Sequence, residues 1–182
     1  MKIVAFTGAG VSKESGINTF RDGDGLWKKY DPEIVSSKVG WKKNREIVID
    51  FYNTVRKEMI NKVPNDAHKY LAKLEEYHDV SIITQNVDDL HERAGSTNVI
   101  HLHGELNKTQ SSLESSITYP YTDDIKIGDK CELGSQIRPH VVLFGELPNN
   151  VEKAYEVLKD CDLLLVIGTS LNIIYTISML ES

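Results

Sequence analysis

Ile3-Val4-Ala5-Phe6 runs without a polar residue and breaks at Thr7 into Gly8-Ala9-Gly10-Val11-Ser12. A buried strand that ends in closely spaced glycines usually sets backbone N–H groups against a phosphate. Gly8 and Gly10 carry no Cβ, so a dinucleotide is expected to approach the chain closely there. The fingerprint of hydride-transferring enzymes, G-x-G-x-x-G, has a third glycine that lets the helix pack on the strand. Lys13 stands at that third place, which ranks a dehydrogenase last. By itself Gly-Ala-Gly decides little, because many strand-to-helix turns carry two glycines and bind nothing. The continuation is rarer: Ser15-Gly16-Ile17-Asn18-Thr19-Phe20-Arg21-Asp22, then Gly25-Leu26-Trp27.

Other short apolar runs follow. With Ile3–Phe6, the runs Val80–Thr84, Val99–Leu102, Val141–Phe144 and Leu163–Ile167 read as buried strands of one parallel sheet, since unbroken runs suit strands covered on both faces. Helical spacing lies between them: Ala67, Tyr70, Leu71 and Leu74 within Asp66–Tyr77, and Val151, Ala154, Tyr155 and Leu158 within Val151–Leu158. The alternation predicts an α/β fold with a doubly wound, Rossmann-like parallel sheet. In such folds ligands sit at the carboxyl ends of the strands. Two segments break the alternation. Tyr30–Pro64 holds a helical stretch with Ile47, Val48, Phe51, Tyr52 and Val55 on one side, and Lys108–Gln136 is polar and turn-rich.

The chain has 182 residues, enough to bury a sizeable core in one domain with a small appended module. A net charge of −6 without a basic stripe argues against nucleic acid as a partner. No apolar run reaches membrane-spanning length, and the N-terminus lacks a signal-peptide layout, so neither a membrane nor export is expected. Cys131 and Cys161 are far apart and imply no disulfide framework. These features together predict a cytoplasmic monomer.

The string Gly-Ala-Gly-Val-Ser followed by Gly-Ile-x-x-Phe-Arg-Asp resembles the cofactor loop of the sirtuins, the NAD-dependent protein deacylases. Further motifs agree and occur in family order. Thr84-Gln85-Asn86-Val87-Asp88 resembles the nicotinamide-pocket motif, and His101-Leu102-His103-Gly104-Glu105 the catalytic-histidine motif. Arg138-Pro139-His140-Val141-Val142-Leu143-Phe144-Gly145-Glu146 resembles the strand that pairs with the substrate peptide, and Gly168-Thr169-Ser170-Leu171 a second nucleotide loop. The wording is closest to the bacterial deacetylase and desuccinylase branch. The resemblance implies a discontinuous NAD-binding domain over residues 1–29, 66–107 and 137–182. It also implies a small domain over 30–65 and 108–136, a helical insertion plus a degenerate zinc-ribbon-like segment.

The implied activity is removal of acyl groups from protein lysine side chains with NAD, giving nicotinamide and O-acyl-ADP-ribose. The alternatives are a catalytically weak NAD or ADP-ribose sensor and an NAD glycohydrolase. Among site residues, the resemblance makes His103 the general base, and an imidazole titrating near neutral pH suits proton removal from a ribose hydroxyl. Asn86 would position a water or the ribose, and Asp88 would accept from the carboxamide. Gln85 and Val87 complete that pocket. Gly8, Ala9, Gly10, Ser12, Gly16, Gly168, Thr169 and Ser170 would contact phosphates and ribose. Phe20 would cover the reacting carbon, Arg21 meet a phosphate and Trp27 border the loop. Ser12 and Ser170 lack a Gly-x-Ser-x-Gly elbow and are not nucleophiles. Val142, Phe144 and Gly145 would border the acyl-lysine peptide, bound as an added strand. His101 forms a His-x-His pair with His103 but has no obvious third metal ligand nearby, so a structural role is expected. His68, His78, His91 and His140 are read as surface residues or supports behind the site.

Three departures matter. Sirtuins usually hold zinc with two Cys-x-x-Cys pairs between the catalytic histidine and the Arg-Pro strand. That interval offers Cys131 alone, with Ser111 and Ser112 where the first pair would begin, so zinc is not expected. Bacterial members that remove acidic acyl groups carry Tyr-x-x-Arg on the small-domain helix. Here Tyr52 is followed by Val55 at that place and Arg56 one later, a step of about 100° around a helix. Both Tyr52 and Arg56 remain candidates for the acyl site. Finally, family members continue past the Gly-Thr-Ser loop into another strand that contacts the adenosine, whereas this sequence ends at Ser182 after an expected helix, Ile173–Leu180. The resemblance therefore implies a smaller adenosine pocket.

Overall fold

In the computed structural model of this protein, residues 1–17, 29–172 and 179 are described. In chain order the elements are β1 (Lys2–Thr7), a 3₁₀ helix (Ala9–Ser15), α1 (Pro32–Val35), α2 (Lys38–Lys43), α3 (Arg45–Ile60), α4 (Asp66–Leu74), β2 (Asp79–Thr84), α5 (Leu90–Ala94), β3 (Val99–His101), β4 (Gly104–Ser111), β5 (Thr118–Pro120), β6 (Ile137–Val141), α6 (Val151–Lys159) and β7 (Leu163–Ile167). They form two compact units. The first holds the described residues of 1–17, 62–103 and 148–172, with Met179; the second holds 29–61 and 104–147.

The first unit is built on a parallel sheet of four strands in the order β3-β2-β1-β7. The apolar run of β1 lies inside it, and its residues alternate between two cores. Val4 and Phe6 pack with Ile83, Ile100, Leu102 and Ala154, the last from α6. Ala5 packs with Ile82 and with Leu71 from α4. Helices thus cover both faces, as a parallel sheet requires. The register levels the strand ends, pairing Thr7 with Thr84 and Ile167, and Thr84 with His101. The loops that follow these residues therefore emerge side by side.

Helix α4 starts where Asn65 accepts from the N–H groups of Ala67 and His68, while His68 Nδ1 accepts from the Asn65 N–H. This is a capping box with histidine in the place usually held by Glu or Gln. The helix ends at Leu74, short of the expected Tyr77.

The second unit contains helices α1 to α3 and a three-stranded antiparallel sheet in the order β5-β4-β6. Here one expectation fails. Val141–Phe144 is no strand of the parallel sheet: β6 spans Ile137–Val141 and pairs antiparallel with β4. The reason is visible in burial. Val141 and Leu143 are buried, Val142 is half-buried and Phe144 is 64% exposed, an alternation that suits a one-sided position. Helix α3 buries Val48, Phe51 and Tyr52 of its expected face, with Val55 half-buried, but that face is wider than expected. Val48, Ile49, Phe51, Tyr52, Asn53 and Arg56 are buried, while Ile47 is exposed. The polar Asn53 enters because its amide pairs with both backbone groups of Ile125, at 2.9 and 3.0 Å. Segment 108–136, read from sequence as turn-rich, supplies half of β4 and all of β5.

Candidate active site

Within the first unit, the loop after β1 meets the loop after β7. Gly8 N–H donates to Ile167 O at 3.1 Å, Gly10 N–H to Gly168 O at 2.8 Å, and Val11 N–H to Gly8 O at 3.0 Å. Those donors are spent inside the protein, contrary to the expectation that they face a phosphate. The glycines have a different steric role as well. A Cβ on Gly8 would lie 2.7 Å from Thr169 Cβ, and one on Gly10 would lie 2.8 Å from both Gly168 Cα and Gly168 O. Gly168 has φ of +64° and a Cβ there would collide with Val11 N. These three glycines let two loops touch. Ala9 and Gly10 remain exposed beside that contact. Gly16 closes the 3₁₀ helix at φ +79°, its N–H donating to Lys13 O. Ser170 is exposed. Phe20, Arg21 and Trp27 lie outside the described residues, as does most of Ile173–Leu180.

Ser12 is fully buried and is the hub of a polar network rather than a surface contact. His68 Nδ1 accepts from Asn65, so its proton sits on Nε2, which points at Ser12 Oγ 3.4 Å away. Asn86 Nδ2 also donates to Ser12 Oγ, at 3.1 Å, and Ser12 donates to Asp88 Oδ2, at 3.0 Å. Asp88 Oδ1 accepts from Leu90 N–H. Burial raises the Asp88 carboxyl above its ordinary value, against the bonds from Leu90 and Ser12. Beside this network Thr7 Oγ1 bonds Thr84 Oγ1 and His91 Nε2, at 2.8 and 3.0 Å. His68 and His91 are therefore interior supports and not surface residues. Burial lowers them to about 4 and about 3, so both are neutral. The sequence signal for His68 was available in Asn65-Asp66-Ala67-His68, a cap spacing just before an apolar stretch.

Gln85 Oε1 accepts from Thr169 Oγ1 at 2.8 Å, which ties the loop after β2 to the loop after β7. Among the described residues, Gln85 Nε2 is buried without an acceptor. An orphaned buried donor beside exposed Ala9 and Gly10 suits an acceptor-rich ligand such as a nucleotide. Asn86 is buried and Val87 half-buried. His103 is half-buried, and its Nδ1 lies 2.8 Å from Gln85 O. A carbonyl can only accept, so Nδ1 carries the proton and Nε2 the lone pair. Burial lowers His103 below its ordinary value, the Gln85 bond opposing, so the neutral form prevails at physiological pH.

In the second unit, the loop after β6 is tied down. Phe144 N–H donates to Ser36 O at 2.7 Å and Phe144 O accepts from Lys38 N–H at 3.0 Å. The Phe144 N–H and carbonyl are thus already paired within the unit, whereas its ring is open to solvent. Gly145 has φ of +93° and is exposed. Arg138 Nη2 contacts both oxygens of Glu146 at 2.9 Å, and Glu146 Oε2 accepts from Leu143 N–H. Tyr52 is buried, and that burial pushes its phenol up to about 12. Arg56 is held within the fold by Nε and Nη1, while its Nη2 is buried without a partner among the described residues. Its Nε donates to Leu106 O at 2.7 Å, and Nη1 donates to Asn53 Oδ1 and Asp123 O.

Cys131 Sγ lies 3.4 Å from Ser111 Oγ and 3.1 Å from Ser135 Oγ. Ser111 Oγ also accepts from the N–H groups of Leu113 and Glu114. One thiol among hydroxyls that already hold hydrogen bonds is a poor donor set for zinc. The bonds that join Cys131 to Ser111 and Ser135 lower the thiol to about 7.

Residues 8–175 match the Sir2 family. A protein of Helicobacter pylori named NAD-dependent protein deacylase is 49% identical over 171 residues, covering 94% of this chain and 75% of that protein. One of the same name from Bacteroides thetaiotaomicron is 46% identical, with 94% and 76% covered. Among solved structures, the complex of a Sir2 homologue with NAD is 40% identical with a TM-score of 0.88, covering 98% of this chain and 73% of that one. A Sir2 complex with an inhibitor, 2′-O-acetyl-ADP-ribose and deacetylated p53-peptide is 31% identical with a TM-score of 0.78, covering 97% and 74%.

Proposed function

Since the chain belongs to the Sir2 family, we propose how its residues divide the work of NAD-dependent protein deacylation. The protein is an NAD-dependent protein deacylase: it removes acyl groups from protein lysine side chains and binds NAD to do so. NAD would supply the leaving nicotinamide and the ribose that receives the acyl group, and a water is consumed, so that the products are free lysine, nicotinamide and O-acyl-ADP-ribose.

The observation that carries the assignment of the base is the bond from His103 Nδ1 to Gln85 O. It fixes the tautomer with Nε2 as proton acceptor, and burial keeps the ring neutral. His103 takes a proton from a ribose hydroxyl. Asn86 and Asp88, held by Ser12, face the nicotinamide end, and the unpaired Gln85 Nε2 donates to the ligand. Ala9, Gly10, Gly16, Gly168, Thr169 and Ser170 line the nucleotide's course, with Gly8 and Ser12 behind them. Val87 adds an apolar contact. Phe20, Arg21 and Trp27 keep their assignment from sequence. Val142, Phe144, Gly145 and Tyr52 border the acyl-lysine substrate, Phe144 through its ring.

The division into a nucleotide-binding and a small domain belongs to the same reading, as do a monomeric state and a cytoplasmic location suited to the two free cysteines. No helix among the described residues is long and apolar enough to cross a membrane. Zinc has no place in the proposal, because the Cys131 site lacks ligands for it. Elemental analysis after dialysis is expected to find far less than one zinc per chain, and a resistant equivalent would refute this.

Nicotinamide release with and without an acetyl-lysine peptide tests the activity. A deacylase releases nicotinamide only with peptide and forms deacylated peptide in equal amount. Release without peptide would mean an NAD glycohydrolase, and NAD binding without release a sensor.

A further inference from the structure

His101 ends β3, is 4% exposed, and is held on three sides. Its backbone carbonyl accepts from Asn150 Nδ2 at 2.9 Å. Ring atom Nδ1 lies 2.9 Å from Asn86 O, and Nε2 lies 2.7 Å from Glu92 Oε1 on α5. The Asn86 carbonyl can only accept, so Nδ1 carries a proton. Burial works against ionisation of Glu92, but the bond and charge of His101 outweigh it and keep the carboxyl below its ordinary value. Nε2 then faces a carboxylate. Each ring nitrogen of His101 therefore lies against an oxygen, Nδ1 on the loop and Nε2 on α5.

The position of this ring matters. His101 and His103 stand two apart and donate to consecutive carbonyls of one loop, Asn86 O and Gln85 O. The Asn86 side chain is meanwhile committed to Ser12. We propose that His101 is a positioning residue for the deacylase: paired with Glu92, it clamps the Gln85–Asp88 loop through Asn86 O and so sets the nicotinamide end of the site. The idea rests on the functional reading above. The charged or titratable groups of the first unit around the ring are Glu92 and His91 from α5 and Asp88 from the clamped loop. Asp88 gains from the clamp, because the His101 charge favours its ionised form.

Two isosteres separate this role from mere packing. The amide nitrogen of asparagine falls near imidazole Nδ1, and that of glutamine near Nε2. His101→Asn can still donate to Asn86 O, and His101→Gln can still reach Glu92 but not the loop. The full chain is assayed with NAD and an acetyl-lysine peptide, and nicotinamide inhibition is measured alongside. His101→Asn is expected to keep KM for NAD and the inhibition constant near the wild-type values. His101→Gln is expected to raise both by about tenfold, the loss of one buried charged bond, with a smaller fall in kcat. Equal losses in the two variants, or better retention by His101→Gln, would overturn the clamp. Imidazole 15N spectra give a readout free of activity. Both His101 ring nitrogens should be protonated near pH 7 in the wild type, with Nδ1 alone protonated in Glu92→Gln. A neutral wild-type ring would also overturn the proposal. A wild type without peptide-dependent nicotinamide release overturns the functional reading instead, while the spectra still decide whether the clamp exists.

Discussion

With Gln85 O at 2.8 Å, His103 has its proton on Nδ1, and a base is available at Nε2 only while the ring is neutral. Burial lowers its pKa, so the acidic limb of kcat/KM is expected below the ordinary histidine value of about 6.5. His103→Ala should remove at least about 10²-fold of the turnover, the usual worth of a general base, while NAD affinity by calorimetry stays within a few-fold. Retention of full activity would exclude His103 as the base. The sequence made this residue legible because a histidine directly after an apolar run must stand at a strand end. What it hid was direction. Ser12 reads as a phosphate contact in a glycine loop, yet its hydroxyl is enclosed by His68, Asn86 and Asp88, residues 56 to 76 positions away. No local pattern announces a partner at that distance. His101 was likewise legible as structural, but its ring contacts come from Glu92 and Asn86, which meet it from two other segments.

At the scale of elements, apolar runs identified the four parallel strands: β1 and β2 are buried along most of their length, while β7, last in the sheet order, leaves Leu163 and Val166 exposed. The same rule misassigned Val141–Phe144, where four apolar letters conceal a one-sided burial. Helix α3 gave its existence and most of its face, but not Asn53 and Arg56, which enter the interior by hydrogen bonds that hydropathy cannot register. The loop-to-loop contact at Gly168 makes a second prediction. Gly168→Ala forces a side chain to φ +64° and into Val11 and Gly10, which should cost about 2–4 kcal/mol in chemical denaturation. Gly128→Ala is the control: φ is +100° but nothing lies within 4 Å of the added carbon, so only the backbone term of about 1–2 kcal/mol should appear. Equal costs would mean that the loops do not depend on close approach. Helix α3 carries a third prediction, a preference for acetyl-lysine over succinyl-lysine. A succinyl carboxylate must leave water and find a cation. Arg56 is bonded to Leu106 O, Asn53 and Asp123 O, and the cation that acts on Tyr52, Arg138, is neutralised by Glu146. Val55→Arg should raise succinyl turnover on a common peptide. A parent chain that already prefers succinyl would show that Arg56 or Arg138 is released for substrate.

For the whole molecule, two imidazoles kept neutral make stability depend on pH. His68 and His91 are 0% and 1% exposed, and their pKa values fall to about 4 and about 3 in the folded state. In the unfolded chain both return to about 6.5. The sign follows from proton counts. Below about pH 6.5 the unfolded chain binds up to two protons that the native protein refuses, so stability falls with pH at about 1.4 kcal/mol per unit for each proton. His103, also lowered, acts in the same direction, and so does Glu92, whose stabilising ionisation is lost as pH falls through its depressed folded value. Asp88 opposes them, since its raised carboxyl takes up a proton in the folded state first. Near pH 5 the two buried histidines alone should give a slope of about 3 kcal/mol per pH unit. A domain stable by only about 5–15 kcal/mol then unfolds in mild acid. Urea denaturation at stepped pH measures the slope, and His91→Gln, which cannot take up the proton, should reduce it by about one proton's share. A free energy that stays flat from neutral pH to about pH 5 would mean these rings are protonated, or hydrated, inside the fold. The polar floor beneath the site would then be a charged one, and the neutral Ser12–His68 bond that orders Asp88 would have to be replaced by an ion pair.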